Sequence, residues 1–188
     1  MRDYISISTL NDFIFCPYSI YLHNVYMDTD EDNYHARPQT RGRNAHSKVD
    51  SKSTSSSNDI IESLPVISHE LGLYGKIDIY KKHSCSLIER KFQLKNIFKG
   101  QLYQLWAQYF CFLEMGYPVC SISYYEISTH KSIPIDLPSQ DEKKELIGFI
   151  NRFRDFDPRK EITVNVNKCL HCIYSNLCDK TSKDNVYY

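Results

Sequence analysis

Two acidic residues and a lysine are spaced along the chain so that their side chains could act together in a chemical reaction. Asp78 ends the segment GKID, and Glu89 and Lys91 flank Arg90 in the segment ERK eleven residues later. If both segments are strands of one hairpin, the two carboxylates approach each other across neighbouring strands. Glu89 and Lys91 are two residues apart, so on a strand they point to the same face. The pattern therefore predicts two carboxylates and an ammonium group on one face of a sheet.

Such a set suits hydrolysis of a phosphodiester. Carboxylate oxygens are ligands that Mg²⁺ and Mn²⁺ prefer, and a bound ion polarises the phosphoryl group and acidifies water. The ammonium group of Lys91 can orient that water or offset charge that develops on the phosphate. His46 lies upstream and could add a nitrogen ligand, which suits Mn²⁺ better than Mg²⁺. The competing interpretation is a solvent-exposed face with ordinary salt bridges.

A group of cysteines near the C-terminus forms a second pattern typical of metal sites. Cys169, Cys172 and Cys178 have the spacing C-x2-C-x5-C. A fourth ligand is needed, and Cys16, which precedes a proline, is the natural choice, with His171 as its competitor. Four thiolates hold either zinc or an iron–sulfur cluster, and spacing alone does not separate the two. Because Cys16 lies 153 positions before Cys169, such a site would couple metal binding to folding.

Composition predicts one globular domain spanning residues 1–188. Apolar residues make up 41% of the chain and charged residues 24%, as in soluble proteins. The net charge is zero, so binding of nucleic acid would depend on a local basic patch and a bound metal ion. We find no membrane span and no secretory signal, so we expect a cytoplasmic protein without disulfides. The three remaining cysteines are predicted to pack in the core, as small hydrophobic residues: Cys85, Cys111 and Cys120.

Hydrophobic periodicity predicts a mixed α/β domain. A short helix should begin at Ser8 or Thr9 and end near Cys16, because a proline follows. Further helices are expected over 40–49, 102–115 and 141–153. Strands are expected over 61–68, 72–81, 85–92, 119–127 and 131–135. Residues 50–58 are rich in serine and are expected to form a surface loop.

Taken in order, these motifs resemble one family. They are similar to the CRISPR-associated exonucleases that combine a RecB-like nuclease domain with a 4Fe–4S cluster, the fourth Cas family. The ordered set spans nearly the whole chain and is specific, although each motif alone is weak. The matching residues are the segment FCP around Cys16, His46, GKID ending at Asp78, ERK from Glu89 to Lys91, QLWAQ from Gln104 to Gln108, and Cys169, Cys172 and Cys178.

The resemblance implies a restriction-endonuclease-like fold of the PD-(D/E)XK class, a mixed central sheet flanked by helices. It implies Mn²⁺ or Mg²⁺ bound by His46, Asp78, Glu89 and the backbone carbonyl of Arg90, with Lys91 as the catalytic lysine. It also favours an iron–sulfur cluster over zinc. It implies that residues 1–22 and 165–180 form the region around the cluster. The cluster ligands it implies are Cys16, Cys169, Cys172 and Cys178.

The same resemblance implies a biological role in antiviral defence. Members of the family are hydrolases that degrade single-stranded DNA from its ends, and they trim and select spacer precursors together with the CRISPR integrase. Two alternatives stay open from the sequence. One is a RecB-like nuclease of DNA repair or of a mobile element. The other is a zinc-stapled module that binds DNA without cutting it.

One departure from the family pattern concerns the helix after the lysine. Related RecB-like nucleases carry Gln-x-x-x-Tyr there, whereas this chain has Gln104 and Gln108, with Tyr109 displaced by one position. One residue rotates a helical side chain by about 100°, so both glutamines are expected to face the site and Tyr109 the core. We interpret Gln104, and with less weight Gln108, as DNA contacts. Basic residues that could follow a phosphate backbone are Arg37, Arg41, Arg43, Lys48, Lys95 and Lys99.

Overall fold

The computed structural model describes residues 4–26 and 59–180. Its strands are β1 (Ile5–Ser6), β2 (Ile60–Glu62), β3 (Pro65–Ser68), β4 (Leu73–Lys76), β5 (Ile79–Lys81), β6 (Ser86–Lys91), β7 (Ser121–Glu126) and β8 (Lys131–Ile135). Its helices are α1 (Thr9–Phe15), α2 (Pro17–Tyr26), α3 (Lys99–Glu114), α4 (Gln140–Arg154) and α5 (Val166–Cys169), with a 3₁₀ turn at Ser175–Leu177. His46, the expected helix over 40–49 and the serine-rich segment 50–58 lie outside the described residues.

The fold is a mixed α/β arrangement with two sheets and flanking helices. The smaller sheet has the order β1-β4-β3, with β1 parallel and β3 antiparallel to β4. The larger sheet has the order β2-β5-β6-β7-β8, in which only β6 and β7 run parallel. The parallel pair is connected by α3, the kind of crossover that parallel strands require. An α/β class was predicted, but one central sheet was expected where the structure has two.

A bent hairpin explains why there are two sheets. The strands expected over 61–68 and 72–81 are each broken in the middle, at Ser63–Leu64 and at Ile77–Asp78. Backbone hydrogen bonds from Ile77 N to Leu64 O and from Ser63 N to Asp78 O, both 3.0 Å, continue the hairpin across the break. Ser63 has a positive φ of 57°, a conformation that turns the chain. Asp78 therefore lies at the bend where the hairpin passes from the small sheet to the large one.

The principal core lies around α3. Leu105, Ala107, Cys111 and Phe112 of this helix are fully buried, and the Phe112 ring stacks on Tyr117 at a centroid distance of 4.3 Å. Burial of aromatic side chains contributes much of the stability of such a core. The helix begins at Lys99 and ends at Glu114, which extends the predicted range by three residues at its start. Gly116 follows with a φ of 86°, as expected for the residue that ends a helix.

Helix α4 has a capped N-terminus and is anchored near its C-terminus. Ser139 accepts a hydrogen bond from Glu142 N at 3.3 Å, and Glu142 accepts one from Ser139 N at 2.7 Å. This reciprocal pair is a capping box. Arg154, in the last turn, donates to the Leu71 carbonyl at 2.6 Å. The helix is thereby held against the turn that connects β3 and β4.

The three cysteines outside the C-terminal pattern are not all core residues. Cys111 is fully buried, as predicted. Cys120 is exposed and Cys85 is half-buried, so the prediction of core packing was wrong for Cys120. Both precede strands that pair in parallel, and Cys120 N donates to Cys85 O at 2.8 Å. They lie at the end of the large sheet, where Cys120 is exposed.

No helix in the two described ranges is long and apolar enough to cross a bilayer.

Candidate active site

A cavity of about 430 Å³ opens between the two sheets and α3. One of its walls consists of Asp78 at the hairpin bend, the carboxyl end of β6 and one face of α3. The rest of the lining comes from the end of β1, the segment after it and the strand β4. Of the side chains predicted to do chemistry, Asp78, Glu89 and Lys91 therefore lie around a single cavity. The lining residues are Ser6, Ile7, Ser8, Tyr74, Gly75, Lys76, Asp78, Glu89, Lys91, Gln104 and Gln108.

Strand β6 brings Glu89 and Lys91 together. The Lys91 ammonium lies 2.8 Å from Glu89 Oε1, and the exposed fractions of the two side chains are 24% and 10%. The prediction that they share one face is confirmed. Because this ion pair is largely shielded from water, it is stronger than an exposed surface pair.

Asp78 is fixed by the backbone of the neighbouring strand. Its Oδ2 accepts a hydrogen bond from Arg90 N at 2.7 Å, and β5 and β6 pair with Ile79 opposite Ile88. Burial, followed by the negative charge of Glu89, raises the pKa of Asp78 to about 7, while the Arg90 N–H and the cations nearby oppose that rise. A carboxyl group in this position gains from a cation placed between it and Glu89.

Lys91 is a cation at neutral pH. Burial alone would lower the pKa of its ammonium group, but the charge and hydrogen bond of Glu89 act in the other direction. Asp78 and Asp12 add to the same effect, so the pKa of Lys91 is raised above its usual value. Lys91 is thus suited to act as a fixed positive charge rather than as a base.

Gln108 holds the second oxygen of Glu89. Its Nε2 donates to Glu89 Oε2 at 2.8 Å and to the Lys76 carbonyl at 3.2 Å. The side chain is only 4% exposed. Glu89 is therefore held by Lys91 on one oxygen and by Gln108 on the other, and the amide links it to β4. Sequence reasoning placed Gln108 on the cavity face, which is confirmed. Its buried position makes it a support for the carboxylate, and a DNA contact by Gln108 stays a prediction.

Gln104 lies one turn earlier, nearer to the mouth of the cavity. Its Nε2 donates to the Ser8 carbonyl at 2.9 Å, and its Oε1 accepts from Lys91 Nζ at 3.4 Å. Gln104 is half-buried, and Tyr109 packs at the edge of the core, so the expected helical faces are confirmed. Gln104 joins the start of α1 to the lysine and remains the better candidate for a substrate contact.

We predict that Gln108→Leu destabilises the protein more than Gln104→Leu. The leucine removes both donated hydrogen bonds and leaves Glu89 Oε2 and the Lys76 carbonyl without that donor. Loss of a buried partner costs about 1–3 kcal/mol of unfolding free energy. Urea denaturation of both variants measures the difference. Equal stability of Gln108→Leu and the wild type would show that this buried amide does not contribute to the free energy of unfolding.

The donor set of this cavity fits a hard divalent cation. Asp78 and Glu89 offer carboxylate oxygens, which Mg²⁺ and Mn²⁺ prefer, and the third predicted side-chain ligand, His46, lies outside the described residues. In residues 4–26 and 59–180, no group of three or more His, Cys, Asp or Glu side chains is arranged to hold a metal ion. The carbonyl ligand expected from Arg90 stays a prediction, although the N–H of that residue already binds Asp78.

The cysteines from both ends of the chain line a second cavity, of about 370 Å³. It contains all four predicted thiol ligands: Cys16, Cys169, Cys172 and Cys178. Burial, opposed in part by the backbone N–H of Tyr174, and the three neighbouring thiols together raise the pKa of Cys172. Four soft sulfur donors around one cavity fit an iron–sulfur cluster or zinc. The structure places Cys16 beside the C-terminal three, and metal binding by the four cysteines stays a prediction.

The competitor for the fourth position lies elsewhere. His171 lines a different cavity, together with Cys172 and residues of α1 and α2. It is absent from the residues that surround the four thiols. Further contacts between the chain ends are made by Tyr18 OH with Asp179 at 2.7 Å and by His23 Nδ1 with Tyr174 OH at 2.8 Å.

Sequence reasoning missed the part of the cavity lining that comes from β4 and the segment after β1. Ser8, Tyr74 and Lys76 line the cavity there, and none was singled out as a site residue. A Cβ on Gly75 would lie 2.9 Å from Ile7 Cδ1 and 3.0 Å from Ile7 Cβ, so glycine allows β4 to approach this segment closely. The alternation of Tyr74 and Lys76 with apolar neighbours is the signal that could have revealed them.

Comparisons with known proteins support the fold alone. No family model matches this chain, and no curated protein matches it either. Among solved structures, the chain is similar to one described as "Crystal structure of SSO0001", with a TM-score of 0.63 and 16% sequence identity. The match covers 96% of this chain and 88% of the other. At this identity, the likeness concerns the arrangement of helices and strands.

Proposed function

We propose that this protein is a Mn²⁺- or Mg²⁺-dependent deoxyribonuclease that hydrolyses phosphodiester bonds. The observation that carries the proposal is the ion pair between Glu89 and Lys91, which lines one cavity with the tethered carboxylate of Asp78. A merely structural salt bridge has no need of a second buried carboxylate beside it, because like charges raise its energetic cost. A cation between the two carboxylates removes that cost.

Each residue has a role in this proposal. Asp78 and Glu89 hold the divalent ion, with His46 and the Arg90 carbonyl as further ligands. When bound, the ion supplies Lewis acidity toward the phosphoryl group and water. Lys91 offsets the negative charge that develops on the phosphoryl oxygens. Gln108 keeps Glu89 in one orientation, and Gln104 contacts the strand near the cavity mouth.

We further propose that the four cysteines bind a 4Fe–4S cluster. The four thiols line one cavity of about 370 Å³. Four thiolates hold either zinc or an iron–sulfur cluster, and the resemblance to the fourth Cas family favours iron–sulfur.

The biological setting that we propose is CRISPR adaptation in the cytoplasm. The ordered motifs resemble the fourth Cas family, whose restriction-endonuclease-like nuclease domain acts on single-stranded DNA. In this setting, the protein trims and selects spacer precursors for the CRISPR integrase. Two exposed lysines offer contacts for the DNA backbone: Lys95, between β6 and α3, and Lys99, the first residue of α3. The two alternatives are a RecB-like nuclease of repair and a zinc-stapled binding module.

End-labelled DNA tests the proposal directly. The purified protein is incubated with single-stranded and double-stranded oligonucleotides, with Mn²⁺, with Mg²⁺ and with EDTA. We expect shortening of the single strand from an end with either metal, and none with EDTA. Intact DNA under all three conditions would overturn the nuclease assignment and favour the binding module. Internal cuts without shortening from the ends would overturn the exonuclease assignment alone.

A further inference from the structure

Tyr74 is an exposed aromatic residue inside the wall of the catalytic cavity. The side chain is 49% exposed, and it lines the same cavity as Asp78, Glu89 and Lys91. Most large aromatic residues around α3 are buried and packed on one another. Within the described part of the chain, the structure gives the Tyr74 ring no aromatic partner and its hydroxyl no hydrogen bond. Exposed aromatic surface in a concave site is an expected feature of ligand binding.

The strand β4 determines where this ring lies. Leu73 is buried and Tyr74 and Lys76 are exposed, so the alternation along the strand puts the tyrosine and the lysine on one face. Residues two apart on a strand are separated by about 7 Å. Ser6 and Ile67 flank Tyr74 on the neighbouring strands. Tyr74 and Lys76 thus share the exposed face of the small sheet, and both residues line the cavity.

We propose that Tyr74 is a stacking platform for an unpaired nucleobase next to the bond that is cut, with Lys76 contacting an adjoining phosphate. The inference rests on the proposed nuclease function and names the substrate class of that same site. Aromatic side chains bind single strands by stacking, without preference for sequence, because every base has a π face. In a duplex, both faces of each base are covered by its neighbours.

The position of the platform gives it a selective role. The cavity volume, about 430 Å³, falls within the range of about 300–1,000 Å³ that is typical for small organic ligands. One nucleotide can therefore enter, but a base pair with its stacked neighbours cannot lie flat on Tyr74. The site would select unpaired ends by this stacking, before any reaction at the phosphate.

Binding measurements separate this role from the chemistry. Fluorescence anisotropy is measured with labelled oligothymidine and with a strand of the same length that carries abasic sites. The buffer contains Ca²⁺ in place of Mn²⁺ or Mg²⁺. We expect wild type to prefer oligothymidine, and Tyr74→Ala to weaken its binding roughly 5- to 150-fold, as loss of one stacked base would. Tyr74→Phe should bind like wild type. Tyr74→Ala should bind the abasic strand as wild type does. Tyr4→Ala, an exposed tyrosine outside the cavity, is the matched control.

The outcomes distinguish the two proposals. If Tyr74→Ala still prefers oligothymidine by the wild-type factor, the stacking platform is overturned, whatever the cleavage assay shows. The stacking platform is also overturned if the wild type binds oligothymidine and the abasic strand equally. If binding follows the expected pattern but no DNA is cut with Mn²⁺, the platform stands and the proposed nuclease function fails. Melting temperatures show whether each variant is folded. If Tyr74→Ala unfolds, Tyr74→Leu, which keeps the bulk of the side chain but not the ring, takes its place with the same expected loss.

Discussion

Lys91→Ala is expected to lower the rate of Mn²⁺-dependent degradation of single-stranded DNA by about 10²–10³-fold. The ammonium group lies 2.8 Å from Glu89 in the cavity wall, next to the proposed position of the phosphate. Its loss removes a positive charge where negative charge develops in the transition state. We therefore expect kcat and kcat/KM to fall by similar factors, because the interaction strengthens only during the reaction. A fluorescent single-stranded oligonucleotide measures both constants.

The acidic residues should show a still larger loss. Asp78→Ala and Glu89→Ala each remove a proposed metal ligand, so we expect no detectable cleavage at any Mn²⁺ concentration. Lys144→Ala is the control, since this lysine is exposed on α4 and its ion pair in the described part of the chain is with Asp141 of the same helix. Iron content should be the same in every variant, because the cysteine cavity is lined by other residues. Full activity of Lys91→Ala would refute the mechanism.

Cys172→Ala is expected to lose iron and solubility together. Among the described residues, the small core beside the cysteines has three buried members, Tyr18, Leu22 and Tyr174. So small a core contributes little stability by itself, and small cores commonly depend on a metal or a disulfide. A cluster that ties α1 and α2 to the C-terminal segment would supply the missing stability. Its loss should release both ends of the chain.

Spectroscopy and chromatography measure this second effect. The wild type, purified without oxygen, should absorb at about 400 nm, and Cys172→Ala should not. The variant should also elute as aggregate from a sizing column. Cys120→Ala is the matched control, because this thiol is exposed and lies outside the cysteine cavity. A variant that lacks iron but remains folded and monodisperse would rule out the structural role, and stoichiometric zinc in the wild type would rule out iron.

The order of the motifs along the chain determined much of the candidate site. The spacing of Glu89 and Lys91 on one strand fixes their common face, because side chains alternate along a strand. The spacing of Gln104 and Gln108 on a helix fixes theirs, because four residues are close to one turn. These are local periodicities, and a local backbone conformation is enough to satisfy them. Both relations hold in the structure.

The bend of the hairpin could not be predicted from the sequence. Residues 61–68 and 72–81 read as unbroken strands, yet each breaks where the chain passes between sheets. The break follows from pairing: Ile77 N binds the Leu64 carbonyl while Asp78 turns its carboxylate to Arg90 N. Which carbonyl or N–H a strand meets depends on its neighbours in space, and no pattern within one strand encodes it.

What the sequence determined by itself is the set of chemical groups: two carboxylates, a lysine and four thiols, with their spacing along the chain. What only the tertiary structure decided is how those groups meet. It brought Cys16 next to cysteines that are 153 or more positions away. It also placed Tyr74 and Lys76 around the same cavity as Lys91. The physical reason is that such long-range approach depends on the packing of α3 and both sheets as one assembly, and packing is a property of the whole chain.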